Sequence, residues 1–293
     1  MNRCCTGRPP AAFGRAFFCA ALITSVSGAS VMAVMFVTAV MAEDADRIEH
    51  LTVEQARTLV EGTLARRKAT ALPHLTTISP EAAAVVAACK TELQLDGLTA
   101  LGPEVAEALE GYQGRMLSLN GLSTLTPAEA ERLAKCRART LMLNGLKKLP
   151  VDVAAPLARF KGTLIFAGLS EIDAEAAVPL AAREEKVWLH KLESLPSVGI
   201  ARKVMECETE VGVDLSAITA FTSPDSVAIA RYLAGTSGPL ALLKLQKISP
   251  KTLSVLIEKR DIRIPPIETL ELIREPDGSQ TEDFVVPDWF VQP

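Results

Sequence analysis

The residues able to do chemistry are few in this chain and stand far apart. His50, His74 and His190 are its three histidines, and none has a second ligand-type residue at metal-binding spacing. His74 falls at a turn, where solvent exposure is the expectation. Of the six cysteines, Cys4, Cys5 and Cys19 lie near the N-terminus, leaving Cys89, Cys136 and Cys207 spaced by 47 and 71 residues. An odd number at those spacings fits neither a zinc site nor a disulfide framework, so buried thiols are expected. Glu184-Glu185, beside Arg183 and Lys186 at a helix end, reads as a solvated face rather than a carboxylate pair for acid–base work. Nucleophile-elbow, zinc-protease, CxxC and phosphate-loop patterns are all missing. The expectation is therefore a non-enzyme with no catalytic residue, no metal and no cofactor.

Composition points the same way. The chain has 293 residues, 48% of them apolar, yet only 4% aromatic. Small and branched aliphatics of this kind suit many thin layers better than one thick core. The net charge is −4, and −7 once the three Arg of residues 1–42 are set aside. An acidic body argues against nucleic acid, which asks for a basic stripe.

Residues 16–42 run 27 positions without a charge, behind Arg3, Arg8 and Arg15 and ahead of Glu43, Asp44 and Asp46. That charge order keeps the N-terminus inside. Two readings fit. A signal peptide would be cut after Val40-Met41-Ala42, a small-residue ending. An uncleaved anchor is favoured by the length, since about 20 apolar residues span a bilayer. Both export the remainder, to the cell envelope or beyond it.

The elements that would position a site are written as a repeat. LQLDGLTAL (93–101), LSLNGLSTL (117–125) and LMLNGLKKL (141–149) are nearly one sentence. Equivalent starts fall at Thr70, Leu93, Leu117, Leu141, Leu164, Val187, Val213, Leu240 and Ile262, at steps of 22 to 27 residues. The first, third, sixth and ninth positions are apolar almost throughout. Alternation at the first and third predicts a short strand with one buried face. Asp96-Gly97, Asn120-Gly121 and Asn144-Gly145 follow as turn pairs tolerant of positive φ. Then Ser79-Pro80, Gly102-Pro103, Thr126-Pro127, Ser223-Pro224 and Ser249-Pro250 place a capping residue before a helix-starting proline. Thr126 with Glu129 predicts a capping box, and Asp173 a cap in the unit lacking proline. Cys89, Cys136 and Cys207 occupy nearly the slot that holds Tyr112 and Phe160 elsewhere, which favours core packing for the thiols. Returning through a helix makes the strands parallel. The expected fold is an α/β repeat solenoid of about nine strand–turn–helix units, with a parallel sheet on one face and short helices on the other. Residues 43–69 supply an N-terminal capping helix, 70–272 the repeats and 273–293 a C-terminal tail.

At these positions the chain resembles the leucine-rich-repeat family, in divergent bacterial versions with units near 23 residues, over about residues 70–272. The Leu-x-Leu strand and the Leu positions after it carry the resemblance. It implies a binding scaffold and no catalytic residue. One feature departs from the family, which places Asn three residues after the second strand Leu. Here Leu98, Leu122, Leu146, Leu169 and Leu192 stand there, so the family's Asn ladder is expected to be absent.

Positions two and four of each strand face away from the core and form the open surface of the sheet. Position two is polar at Gln94 and Ser118, then apolar at Met142, Ile165 and Trp188 on three consecutive strands. His190 joins them from position four. An exposed apolar patch with a Trp marks a binding site unless the chain's own tail, at Trp289-Phe290, covers it. The functional expectation is an exported scaffold that binds another macromolecule, a protein, through Met142, Ile165, Trp188 and His190. Membrane contact would come only through an uncleaved 16–42. The alternative is an envelope spacer that packs on copies of itself.

Overall fold

The structure is a computed structural model describing residues 48–66, 69–206 and 215–280. The leader, the tail from residue 281, Cys207 and the first two positions of the unit at Val213 lie outside the described residues. The chain is α/β. In order it forms β1 (His50–Leu51), α1 (Val53–Arg66), β2 (Thr70–Ala71), β3 (Thr77–Ile78), α2 (Pro80–Val86), β4 (Glu92–Gln94), α3 (Pro103–Glu110), β5 (Met116–Ser118), α4 (Pro127–Lys135) and β6 (Thr140–Met142). Then follow β7 (Lys148–Leu149), α5 (Val151–Leu157), β8 (Thr163–Ile165), β9 (Glu171–Ile172), α6 (Ala174–Ala181), β10 (Val187–Trp188) and α7 (Val198–Met205). After residue 215 come α8 (Ser226–Ala234), β11 (Leu240–Ala241), β12 (Lys247–Ile248), α9 (Pro250–Ile257), β13 (Ile262–Arg263), a 3₁₀ turn (Ile267–Thr269) and β14 (Glu271–Leu272).

Six strands make one parallel sheet in the order β2–β4–β5–β6–β8–β10. Thr70, Leu93, Leu117, Leu141, Leu164 and Val187 stand opposite one another across it. Leu240 faces Ile262 in the same way in the β11–β13 pair. These are the expected first positions. A second row of parallel pairing runs through the eighth and ninth positions, with β7 on β9 and single bridges from Ser194 to Ala220 to Lys247, and β12 then pairs with β14 at the tenth and eleventh positions of the last unit. The row holds register across residues 207–214 because its links lie on either side of them. Backbone N–H groups of Thr219, Gln246 and Glu271 each donate to the preceding turn, at 2.8, 2.7 and 2.7 Å.

The core lies between the sheet and the helices. Leu93, Leu95, Leu117, Leu119, Leu141, Leu143, Leu164 and Phe166 are all fully buried at positions one and three. Burying each aliphatic contributes roughly 1.5–3 kcal/mol. Successive helices pack side by side from α1 through α9. A column of fully buried alanines (Ala83, Ala106, Ala130, Ala154, Ala177, Ala201 and Ala230) keeps the helix side chains small where neighbours meet. Such short helices gain their stability from this packing rather than from propensity.

The helix starts repeat with local variation. Thr126 and Glu129 form the full capping box, and Ser79 and Ser197 accept from Ala82 N and Ile200 N. Asp173 precedes α6 but makes no side-chain cap. The helix expected after Ser223-Pro224 begins instead at Ser226 behind Asp225, while Ser223 Oγ donates to Pro196 O at 2.7 Å in the preceding turn and accepts from Asp225 N at 3.2 Å.

The turn glycines also differ from expectation in their physical reason. Among the described glycines only Gly238 and Gly278 have positive φ. Gly97, Gly121, Gly145 and Gly168 are there for space. A Cβ on Gly97 would meet Pro73 O at 2.6 Å and Leu75 O at 2.7 Å, and one on Gly121 would meet the carbonyl oxygens of Asp96 and Leu98. Each turn nests directly onto the backbone of the turn before it.

Candidate binding face of the sheet

Period-two alternation turns Met142, Ile165 and Trp188 out of the sheet, away from buried Leu141, Leu164 and Val187. Parallel register sets Met142 opposite Ile165 and Ile165 opposite Trp188. All three, and His190, are half-buried. The Trp188 and His190 rings meet edge to face, centroids 5.0 Å apart and planes at 72°. That is a favourable geometry for two aromatic rings. The four residues singled out from the sequence therefore sit together as one apolar strip. The tail residues Trp289 and Phe290, expected as a possible cover, lie outside the described residues.

The polar half of the same face is built differently from expectation. Ser118 is not open surface. It is 2% exposed, and its hydroxyl donates to Asp96 Oδ1 at 2.5 Å while accepting from Asn120 Nδ2 at 2.8 Å. Position four is a ladder. Asp96 Oδ1 accepts the backbone N–H of Asn120 at 3.0 Å, Asn120 Oδ1 that of Asn144 at 3.1 Å, and Asn144 Oδ1 that of Ala167 at 2.7 Å. A buried backbone N–H without a partner is costly, and each side chain supplies the acceptor for the next strand. A ladder of Asx side chains thus exists here two residues before the family's usual place. It stops at Ala167, whose methyl group has no acceptor to offer, and in the following strand the slot holds His190 against Trp188. The apolar strip at position two begins at Met142, on the strand of the ladder's last side chain, Asn144, and continues past the ladder's end.

Behind the face, the slot shared by Cys89, Tyr112, Cys136 and Phe160 is buried throughout, and neither Cys89 nor Cys136 is in a disulfide. Burial pushes the Cys136 thiol up from its ordinary value, and likewise the Tyr112 phenol, whose single O–H proton is shared between Thr91 O at 2.5 Å and Met116 O at 2.7 Å. Neither group is set up as a nucleophile. The next residue in this column is Arg183. The solvated reading of Glu184 and Glu185 agrees with their exposure, shared by Lys186, but Arg183 beside them is 6% exposed. One guanidinium NH2 group donates to Leu157 O, Ala158 O and Phe160 O at 3.2, 2.8 and 2.8 Å, and the other to Gly162 O at 2.6 Å. Arg183 thereby closes the C-terminal end of α5. Desolvation lowers its pKa and Glu185, at 3.7 Å, opposes that. Slot equivalence, rather than residue type, was the signal that could have found it.

Among the described residues, no group of three or more His, Cys, Asp or Glu is arranged to hold a metal ion, and no helix is long and apolar enough to cross a membrane. His50 Nδ1 meets Thr77 Oγ1 at 2.5 Å, while His74 is exposed. The face offers apolar area and the ring edges of Trp188 and His190. A scan of protein-family models finds no match to this chain, and no curated protein matches its sequence.

Proposed function

We propose that the chain is an exported, non-enzymatic repeat scaffold of the leucine-rich-repeat type that binds another protein through the outer face of its sheet. In this reading the parallel pairings and stacked helices are consecutive turns of an open α/β solenoid, with α1 as its N-terminal cap. The leader delivers it to the cell envelope. The observation that carries the reading is the lateral registration of Met142, Ile165 and Trp188, with His190 on the Trp ring, as a half-exposed strip beside a satisfied polar ladder. Trp and Met anchors surrounded by polar positions are the composition of interface centres. A half-exposed Trp on a rigid sheet also loses little conformational freedom on binding. Replacing Trp188 with Ala should remove the partner from envelope pull-downs, whereas Val178→Ala on α6 should leave its recovery intact. Unchanged recovery of every partner by the Trp188→Ala protein would count against the site.

A further inference from the structure

Where α4 and α5 end and the chain turns into β6 and β8, a cleft of about 450 Å³ opens between the two turns. Its charged lining is Lys135, Arg137, Arg159 and Lys161 against one carboxylate, Glu131, with Cys136 and small residues between them. Glu131 is engaged by Lys135 at 3.5 Å. Arg137, Arg159 and Lys161 are exposed, and among the described residues none has a carboxylate within 4.0 Å. A chain of net charge −4 thus concentrates three uncompensated cations in one concavity.

The ordinary use for cations after a helix is to neutralise its last carbonyls. At α5 that use is already filled, because Arg183 holds the carbonyls of Leu157, Ala158, Phe160 and Gly162. Arg159 and Lys161 donate to none of them and are left facing the cleft. Guanidinium forks match the oxygens of phosphate, and a concave cationic wall raises the local concentration of an anion. The volume falls in the range of small-molecule sites, roughly 300–1,000 Å³.

We infer that this cleft binds a small phosphate-bearing group, with Arg137 and Arg159 as forked donors from the two turns and Lys161 as a point charge. The site shares no residue with the Met142–Trp188 strip and does not depend on it. The phosphate has two sources, a free phosphorylated molecule or a phospholipid headgroup, and the test separates them. Sodium pyrophosphate is titrated calorimetrically into the full chain at low ionic strength, and the same protein is floated with vesicles of phosphatidylglycerol or of phosphatidylcholine. For a free ligand, pyrophosphate binds saturably near one per chain. For a headgroup, flotation occurs with phosphatidylglycerol alone. In either case the Arg137→Glu/Arg159→Glu protein loses at least about tenfold in affinity. Arg260→Glu/Arg263→Glu, the same charge change at two exposed positions elsewhere, does not. Arg137→Lys/Arg159→Lys, which keeps the charge, retains part of the binding and guards against a folding defect. No response to pyrophosphate or to either vesicle, or equal losses in the cleft and control variants, overturns the assignment.

Discussion

Asn120 Oδ1 accepts the backbone N–H of Asn144 at 3.1 Å, one strand further along the sheet. This single bond joins a side chain of the turn-forming type to the backbone of the next unit. Removing it leaves a half-buried N–H without its acceptor. Asn120→Ala should therefore lower stability by about 1–3 kcal/mol in urea unfolding. Asn120→Asp keeps the acceptor but loses the Nδ2 donor to Ser118 Oγ and adds a charge beside Asp96, so it should recover little of the loss. Gln94→Ala, on the same face but outside the ladder, should be close to neutral.

Glycines provide a second, independent test of how the turns nest. A Cβ on Gly121 collides with the carbonyls of Asp96 and Leu98, so Gly121→Ala should destabilise by about 1–3 kcal/mol through overpacking. Gly62, inside α1, has nothing within 4 Å of an added Cβ. Gly62→Ala should raise stability by roughly 0.5–1 kcal/mol, the usual helix-interior difference. Opposite signs in paired thermal melts are the expected result.

Arg183 closes α5 with four carbonyl contacts from a buried guanidinium. Arg183→Ala exposes those carbonyls to a cavity and should cost about 3 kcal/mol or more. Arg183→Lys should recover only part of the loss, since one ammonium cannot reproduce the planar fork. Denaturant midpoints of the three proteins settle the order.

Alkaline pH should weaken the fold through the buried column. Cys136 and Tyr112 both have raised folded pKa values, caused by burial. The unfolded chain ionises first, at the ordinary values of 9.0 for the thiol and 10.0 for the phenol. Their contribution is thus fully present below pH 9 and is lost as the pH climbs above the ordinary values toward the raised ones. Stability measured from pH 7 to pH 11 should be flat and then fall. The fall should be shallower in the Cys136→Ala/Tyr112→Phe protein.

The strand positions were legible because burial demands apolar side chains at fixed spacing, and Leu93, Leu117, Leu141 and Leu164 meet across the sheet where the period put them. The strip of Met142, Ile165 and Trp188 followed from the same counting, because strand alternation leaves position two no other side to face. What stayed hidden depends on distances between units. Asn-Gly reads as a turn signal whether its glycine needs positive φ or merely space, and only the nested backbones decide between them. Asp96, Asn120 and Asn144 suit a turn and a ladder equally well by type. The burial of Arg183 is hidden by its type, because charge suggests solvent, although its place in the column of Cys89, Tyr112, Cys136 and Phe160 points inward.

The central claim is that the sheet face receives another protein, and contact mapping in the native envelope tests it most directly. A photo-crosslinking side chain is placed at Ile165, between Met142 and Trp188, and in a second protein at Val178, which is 65% exposed on α6. The account predicts an adduct with a discrete partner protein from Ile165, none from Val178, and loss of the Ile165 adduct when Trp188 is also changed to Ala. An Ile165 probe that yields no intermolecular adduct, or only the adducts also formed at Val178, would contradict it.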